Sequence, residues 1–187
     1  MSGHEIKLLI TDFDGTLVDT FRVNYMAYRK AFQEVGLILP EADYRRCFGY
    51  RFEKFIEAVG IEDEETAAKI KELKSACYPE FFSYLQVNKP LLQWLLAFKK
   101  GGGKIAVAST ARRRNLDNVL KHIGVADVFD YILAGEEVEH GKPSPEIYEK
   151  VLLHFGMCPE ETLVFEDSEV GIQSARNAGI NYMVITH

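Results

Sequence analysis

Short apolar runs, too brief for helices, alternate along this chain with longer stretches in which apolar residues return every three or four positions. Residues 6–10, Ile-Lys-Leu-Leu-Ile, run into Thr11-Asp12-Phe13-Asp14-Gly15, the pattern of a buried strand that ends in a turn. Similar runs at 105–108, 131–134, 163–165 and 182–185 complete a set of five candidate strands. Between the later runs, 115–123 places Leu116, Val119, Leu120 and Ile123 on one helical face, and 145–155 does the same with Ile147, Tyr148, Val151 and Leu152. A third helix is predicted over 169–178. Ser144 and Ser168 stand at two helix starts, and Gly179 has the position of a left-handed C-terminal cap. Alternating strand and helix predicts an α/β fold with a Rossmann-like parallel sheet, covered by helices on both faces.

The stretch 20–87 breaks this rhythm. It contains no convincing strand and reads as helices over 25–35, 52–59 and 64–82, so an all-helical domain is predicted as an insertion into an α/β core made of 1–19 and 88–187. The acidic run Glu62-Asp63-Glu64-Glu65 suits a helix N-terminus facing water. Residues 91–98, with Trp94, are apolar enough to predict a helix packed on the sheet, before the turn Gly101-Gly102-Gly103.

Composition narrows the function. The 187 residues are 47% hydrophobic and 27% charged, enough apolar material for a sizeable core. A formal net charge of -6 and the lack of a basic block predict no nucleic-acid or membrane partner, so an anionic substrate must be held by local groups. Cys47, Cys77 and Cys158 have no metal-like spacing and suit a reducing compartment. No signal-like segment or apolar run of membrane-spanning length stands out, and a cytoplasmic monomer is expected.

The chemistry lies at the predicted strand ends, where ligands bind in open α/β sheets. Asp12 and Asp14 are close enough to repel when both are ionised, and need a divalent cation, a shared proton or backbone amides to hold them. Glu166-Asp167 closes another strand and could converge on the same ion, with Mg2+ the natural partner of carboxylate and phosphate oxygens. Lys142, in Gly141-Lys142-Pro143, could neutralise a phosphate and the nearby Asp12. Ser109, just past the strand 105–108, offers a hydroxyl and a backbone amide suited to phosphate oxygens.

Asp12-Phe13-Asp14-Gly15-Thr16-Leu17-Val18-Asp19-Thr20, Ser109, Lys142 and Phe165-Glu166-Asp167-Ser168-Glu169-Val170-Gly171, in that order, resemble the four motifs of the haloacid dehalogenase-like hydrolase superfamily over residues 6–185. The resemblance implies that Asp12 attacks phosphorus to form an aspartyl-phosphate, and that Asp14 serves as acid and then base. It also implies that Ser109 and Lys142 hold the phosphoryl group, and that Mg2+ is bound by Asp12, Asp14 through its backbone carbonyl and Asp167, with Glu166 helping directly or through water. The helical insertion corresponds to a type-one cap, and the likeness is to the β-phosphoglucomutase and phosphoglycolate phosphatase group. On that basis Arg51, in the loop Phe48-Gly49-Tyr50-Arg51, together with Lys74, Arg22 and Thr110, are candidate substrate contacts, and at least one arginine of Arg112-Arg113-Arg114 is a further one. The implied activity is a Mg2+-dependent phosphatase for a small phosphorylated metabolite. A β-phosphoglucomutase-like phosphomutase is the alternative, weakened by Asn24 and Phe52 where mutases carry a hinge histidine and a cap arginine. A non-catalytic phosphate-binding protein is the third reading.

Overall fold

The computed structural model describes residues 5–186, and these divide into two compact units. Residues Thr20–Gln86 form one; the segments before and after them form the other.

The discontinuous unit is built on five parallel strands: β1 (Leu8–Thr11), β4 (Lys104–Ala108), β5 (Tyr131–Leu133), β6 (Thr162–Glu166) and β7 (Asn181–Val184), in the spatial order β5-β4-β1-β6-β7. The two-residue strands β2 (Val18–Asp19) and β3 (Gln86–Val87) pair separately. Central β1 is wholly buried, as its unbroken apolar run requires. Its register sets Thr11 beside Val107 on one side and Phe165 on the other, so all three strands finish within one residue of the same level. The carboxylates that follow β1 and close β6 therefore start from neighbouring positions.

The pleat sends successive side chains to opposite faces. Leu8, Ile10, Ala106, Ala108 and Val164 meet Ile147, Tyr148, Val151 and Leu152 of α7 (Glu146–Phe155), and Ala175 of α8 (Glu169–Asn177). On the other face Phe165 takes the edge of Trp94, from α5 (Lys89–Lys100), at 5.0 Å between ring centres. The α/β sheet with helices on both faces is the predicted architecture. The α5 pattern is less uniformly interior than its composition suggests: Leu91 and Leu95 are buried, but Trp94 is 44% exposed. The remaining helix, α6 (Arg113–His122), buries Leu116, Val119 and Leu120.

Four helices make the other unit: α1 (Phe21–Glu34), α2 (Glu41–Arg46), α3 (Phe52–Ala58) and α4 (Glu64–Cys77), with α1 packed on α4. Its core joins Ala31, Phe32, Leu39, Tyr44, Phe55, Ile56 and Ile70. The acidic run caps α4 as expected, with Asp63 accepting the Thr66 N–H at 2.7 Å and Glu64 and Glu65 in the first turn. Several details differ from the sequence pattern: α1 begins at Phe21 rather than at residue 25, and Gln86–Val87, at the end of the stretch expected to hold no strand, is β3. The helix predicted over 64–82 stops at Cys77 and continues as a 3-10 segment, Tyr78–Tyr84, because Pro79 cannot supply a helical N–H. The short α2 lacks a full amphipathic period and was not predicted; it is flanked by Pro40 and carries the ion pairs Arg45–Glu41 and Arg46–Asp43.

Candidate active site

Asp12 directly follows β1, and its backbone N–H still bonds the Phe165 carbonyl at 2.9 Å. The next residues turn sharply: Gly15 adopts φ +91° and its N–H bonds the Val18 carbonyl. A Cβ at Gly15 would lie 2.2 Å from Asp167 Oδ2, so glycine is required both by the backbone conformation and by the approach of Asp167. Thr16 completes the turn, its hydroxyl donating to Asp167 Oδ1 at 2.8 Å.

Lys142, in the loop before α7, is the hub. Its side chain is 3% exposed, and its ammonium donates to Asp12 Oδ1 and to Glu166 Oε1, each at 2.5 Å, and to the Ala108 carbonyl at 3.2 Å. Ends of β1, β4 and β6 are thus tied to one positive charge. The Lys142 loop is held in turn by Glu146, whose carboxylate accepts the backbone N–H groups of Glu139 and His140 at 2.8 and 2.7 Å.

Electrostatics follow from burial. Burial raises the Asp12 carboxyl well above its ordinary pKa; Lys142 opposes the shift while Glu166 and Asp167 add to it. Burial works against the charge on Lys142, but Asp12 and Glu166 outweigh it and hold the ammonium well above its usual pKa. Burial likewise opposes ionisation of Glu166, yet Lys142 and several hydrogen bonds keep its pKa low. Asp167 is raised, first by burial and then by Glu166, against the pull of its Thr16 bond.

Asp12, Glu166 and Asp167 each offer an oxygen within 4.8 Å of the others. Three carboxylates against one ammonium leave excess negative charge at a half-enclosed point, and the donors are all hard oxygens. The residues fit a small divalent cation.

The pattern of the haloacid dehalogenase-like hydrolases matches residues 9–185, nearly the whole chain. The chain belongs to this family. It is a hydrolase fold with the family's aspartate at the end of its first strand. Among its relatives, the phosphorylated carbohydrates phosphatase of Thermotoga maritima is 32% identical, with 94% of this chain and 82% of that protein covered. Protein CbbY of Rhodobacter capsulatus is 35% identical, with coverage of 96% and 85%. The crystal structure of β-phosphoglucomutase from Clostridium difficile superposes with a TM-score of 0.82 at 25% identity, covering 97% of this chain and 85% of that one.

Within this family frame, some of the residues singled out from sequence come together and others do not. Asp12, Lys142, Glu166 and Asp167 come together. Asp14 and Ser109 form a second pair, the Ser109 hydroxyl donating to Asp14 Oδ2 at 3.4 Å; the Asp14 carboxylate is turned to Ser109 and is not part of the three-carboxylate cluster. The expected use of the Ser109 amide does not hold, because that N–H bonds the Leu133 carbonyl of β5, leaving the hydroxyl for other work. Thr110 is half-buried, its backbone packed so closely against Gly135 that a Cβ there would lie 2.2 Å from the Thr110 carbonyl oxygen. Arg51 and Lys74 lie in the helical unit: Arg51 is half-buried just ahead of α3, and Lys74 is buried on α4 with its ammonium 3.9 Å from the centre of the Tyr78 ring and 5.1 Å from that of Tyr28. Of the three arginines, Arg113 is turned to the Ile132 carbonyl at 2.7 Å and to Glu137, whereas Arg112 and Arg114 are exposed.

Sequence reasoning missed Tyr148, which the helical period marks only as core. Its hydroxyl donates to Glu166 Oε1 at 2.7 Å. It also missed the second role of Ser168, which caps α8 through the Gly171 N–H and donates its own hydroxyl to Glu166 Oε2.

Proposed function

We propose that this protein is a Mg2+-dependent phosphatase that hydrolyses small phosphate monoesters through an aspartyl-phosphate. The observation that carries this reading is the buried Lys142 ammonium shared by Asp12 and Glu166 beside Asp167, a site that places a nucleophile, a fixed positive charge and a hard-cation cradle together.

An Asp12 oxygen attacks phosphorus, the ester P–O bond breaks, and Asp14 gives its proton to the departing alkoxide. Asp14 then takes a proton from a water molecule whose oxygen attacks the phosphoryl group. The bond from Asp12 to phosphorus breaks, releasing inorganic phosphate and restoring the carboxylate. The bond from Ser109 orients Asp14 for this alternation, and the same hydroxyl, which also accepts the Ala111 N–H, would turn to a phosphoryl oxygen. Lys142 holds the nucleophile in place and neutralises charge on the equatorial oxygens. Mg2+, which Asp12, Asp167 and the Asp14 carbonyl would hold, with Glu166 beside them to act directly or through water, supplies further neutralisation of the phosphoryl charge when bound.

The helical unit acts as the cap that selects the substrate, with Arg51, Lys74 and Thr110 as contacts to groups beyond the reacting phosphate. A small phosphorylated carbohydrate or acid is the favoured class, supported by the activity named for the Thermotoga relative. Asn24 and Phe52 in place of the mutase residues favour hydrolysis over phosphoryl return. The free cysteines Cys47, Cys77 and Cys158 support a reducing, cytoplasmic setting.

A panel of phosphate monoesters assayed with Mg2+ tests the reading. Phosphate release is expected from the wild type and not from Asp12→Asn, with both proteins giving the same circular dichroism and melting cooperatively. Turnover by Asp12→Asn at near wild-type rate would refute the nucleophile.

A further inference from the structure

The Glu166 carboxylate is fully buried and accepts hydrogen bonds on both oxygens. Oε1 takes the Tyr148 hydroxyl at 2.7 Å and the Lys142 ammonium at 2.5 Å. Oε2 takes the Ser168 hydroxyl at 3.1 Å and, at 3.2 and 3.4 Å, the backbone N–H groups of Asp167 and Ser168. An ionised carboxylate has about four lone-pair sites, so these donors leave little capacity for a metal. Steric confinement adds to this: a Cβ on Gly171 would stand 1.9 Å from Oε1 and 2.2 Å from Oε2, so the start of α8 closes directly on the carboxylate.

We infer that Tyr148 is a positioning residue, which with Ser168 and Gly171 commits Glu166 to Lys142 and keeps it from direct coordination of the cation, leaving that task to Asp12 and Asp167. Three observations converge on this. Tyr148 is completely buried and belongs to the packed face of α7, so the ring is fixed and its hydroxyl has a single direction. It donates to the same oxygen that holds Lys142, not to the one opposite. The ammonium also lies 5.3 Å from the centre of the Tyr148 ring, so one side chain flanks both members of the pair. Tyr148 does no chemistry itself; it acts through Glu166 on the lysine.

This inference rests on the proposed phosphatase reading, in which Lys142 holds the phosphoryl group. Tyr148→Phe keeps the ring and removes only the donor. Released from one bond, Glu166 turns more readily toward the cation and holds Lys142 less firmly. The expected result is a roughly tenfold fall in kcat, as for loss of a hydrogen bond to a charged group, with KM unchanged because Tyr148 is buried away from any substrate. Mg2+ titrated calorimetrically into the metal-free protein, with no substrate present, should bind several-fold more tightly to the variant. A role in packing alone would lower the melting temperature without this opposition of slower turnover and tighter metal. Unchanged kcat, or Mg2+ affinity unchanged or weakened, overturns the inference. Should Tyr148→Phe fail to fold, Ser168→Ala removes a donor from the other oxygen and must show the same tightening of Mg2+. Asp12→Asn, run in parallel, separates the two levels: turnover there defeats the phosphatase reading itself, whereas an inert Asp12→Asn beside a Tyr148→Phe that matches wild type defeats only the role of Tyr148.

Discussion

Two buried lysines, one in each unit, show how differently a fold can keep a charge out of water. Lys142 in the α/β unit sits between Asp12 and Glu166, with the Tyr148 ring at its flank. Lys74 in the helical unit lies over the rings of Tyr78 and Tyr28, in a domain whose core is rich in aromatic contacts such as Tyr28–Phe55 and Tyr44–Phe55. A ring face attracts a cation by about 0.5–2 kcal/mol, which suits a charge that packs and binds. Paired carboxylates in a site shielded from water interact far more strongly, and removing one partner of such a pair costs about 3–5 kcal/mol. Such a lysine is locked, and a locked charge suits a reaction in which charge develops at a fixed point. The difference lies in what surrounds the ammonium, not in the residue type.

The contrast can be tested from its strongest side first. Lys142→Met leaves the three carboxylates without their ammonium and should lower kcat by roughly 10²–10³-fold while destabilising the protein by about 3–5 kcal/mol. Steady-state kinetics and urea unfolding, both without and with Mg2+, measure the two losses, and a stable variant with near-normal kcat would remove the basis of the comparison. Lys74→Met keeps the aliphatic stem over the tyrosines and should cost only about 1 kcal/mol, raising KM with kcat held. Equal damage to kcat from both substitutions would erase the distinction between a locking and a packing environment.

The smallest effect concerns the loop that presents Lys142. The backbone N–H of His140, with Lys150 and the N–H of Glu139, lowers the Glu146 pKa from 4.5 to about 2. A depressed carboxyl contributes stability that is fully present above its unfolded value and is lost as pH falls through the folded one. Wild type should therefore exceed Glu146→Gln in stability by a constant margin above pH 4.5 that shrinks toward pH 2, as read from urea midpoints across that range. A margin independent of pH would show that the charge on Glu146 does not hold the loop.

Much of the molecule was legible along the chain because its signals are local. Each predicted strand falls on an observed one within two residues at either end, since the central strands, buried on both faces, demand apolar runs such as Leu8-Leu9-Ile10, and even the largely exposed edge strand β7 keeps a short β-rich run. The acidic start of α4, the Ser168 cap and the left-handed Gly179 were readable for the same reason: each acts on backbone groups a few residues away, although that Asp63 is the residue capping α4 is seen only in the structure. Helix α2 escaped because six residues carry too little period to register, and the end of α4 escaped because apolar spacing continues past Pro79 although the backbone cannot.

The sequence by itself determined which residues could do chemistry and that they would stand at strand ends, because strand propensity, turn glycines and apolar period are properties of neighbours in the chain. Only the tertiary structure decided which of them meet. The bond from Lys142 to Asp12 spans 130 positions, that from Thr16 to Asp167 spans 151, and both depend on the register of β1 against β6 and on the seating of α7 over the sheet. The same seating makes Tyr148 a hydrogen-bond donor to Glu166 when its spacing alone marks a core residue, and the β5 ladder takes the Ser109 amide that its motif appeared to offer. Burial then fixes the consequences, for carboxylates gathered away from water must be matched by an ammonium or a cation, and that demand belongs to the assembled fold rather than to any segment of it.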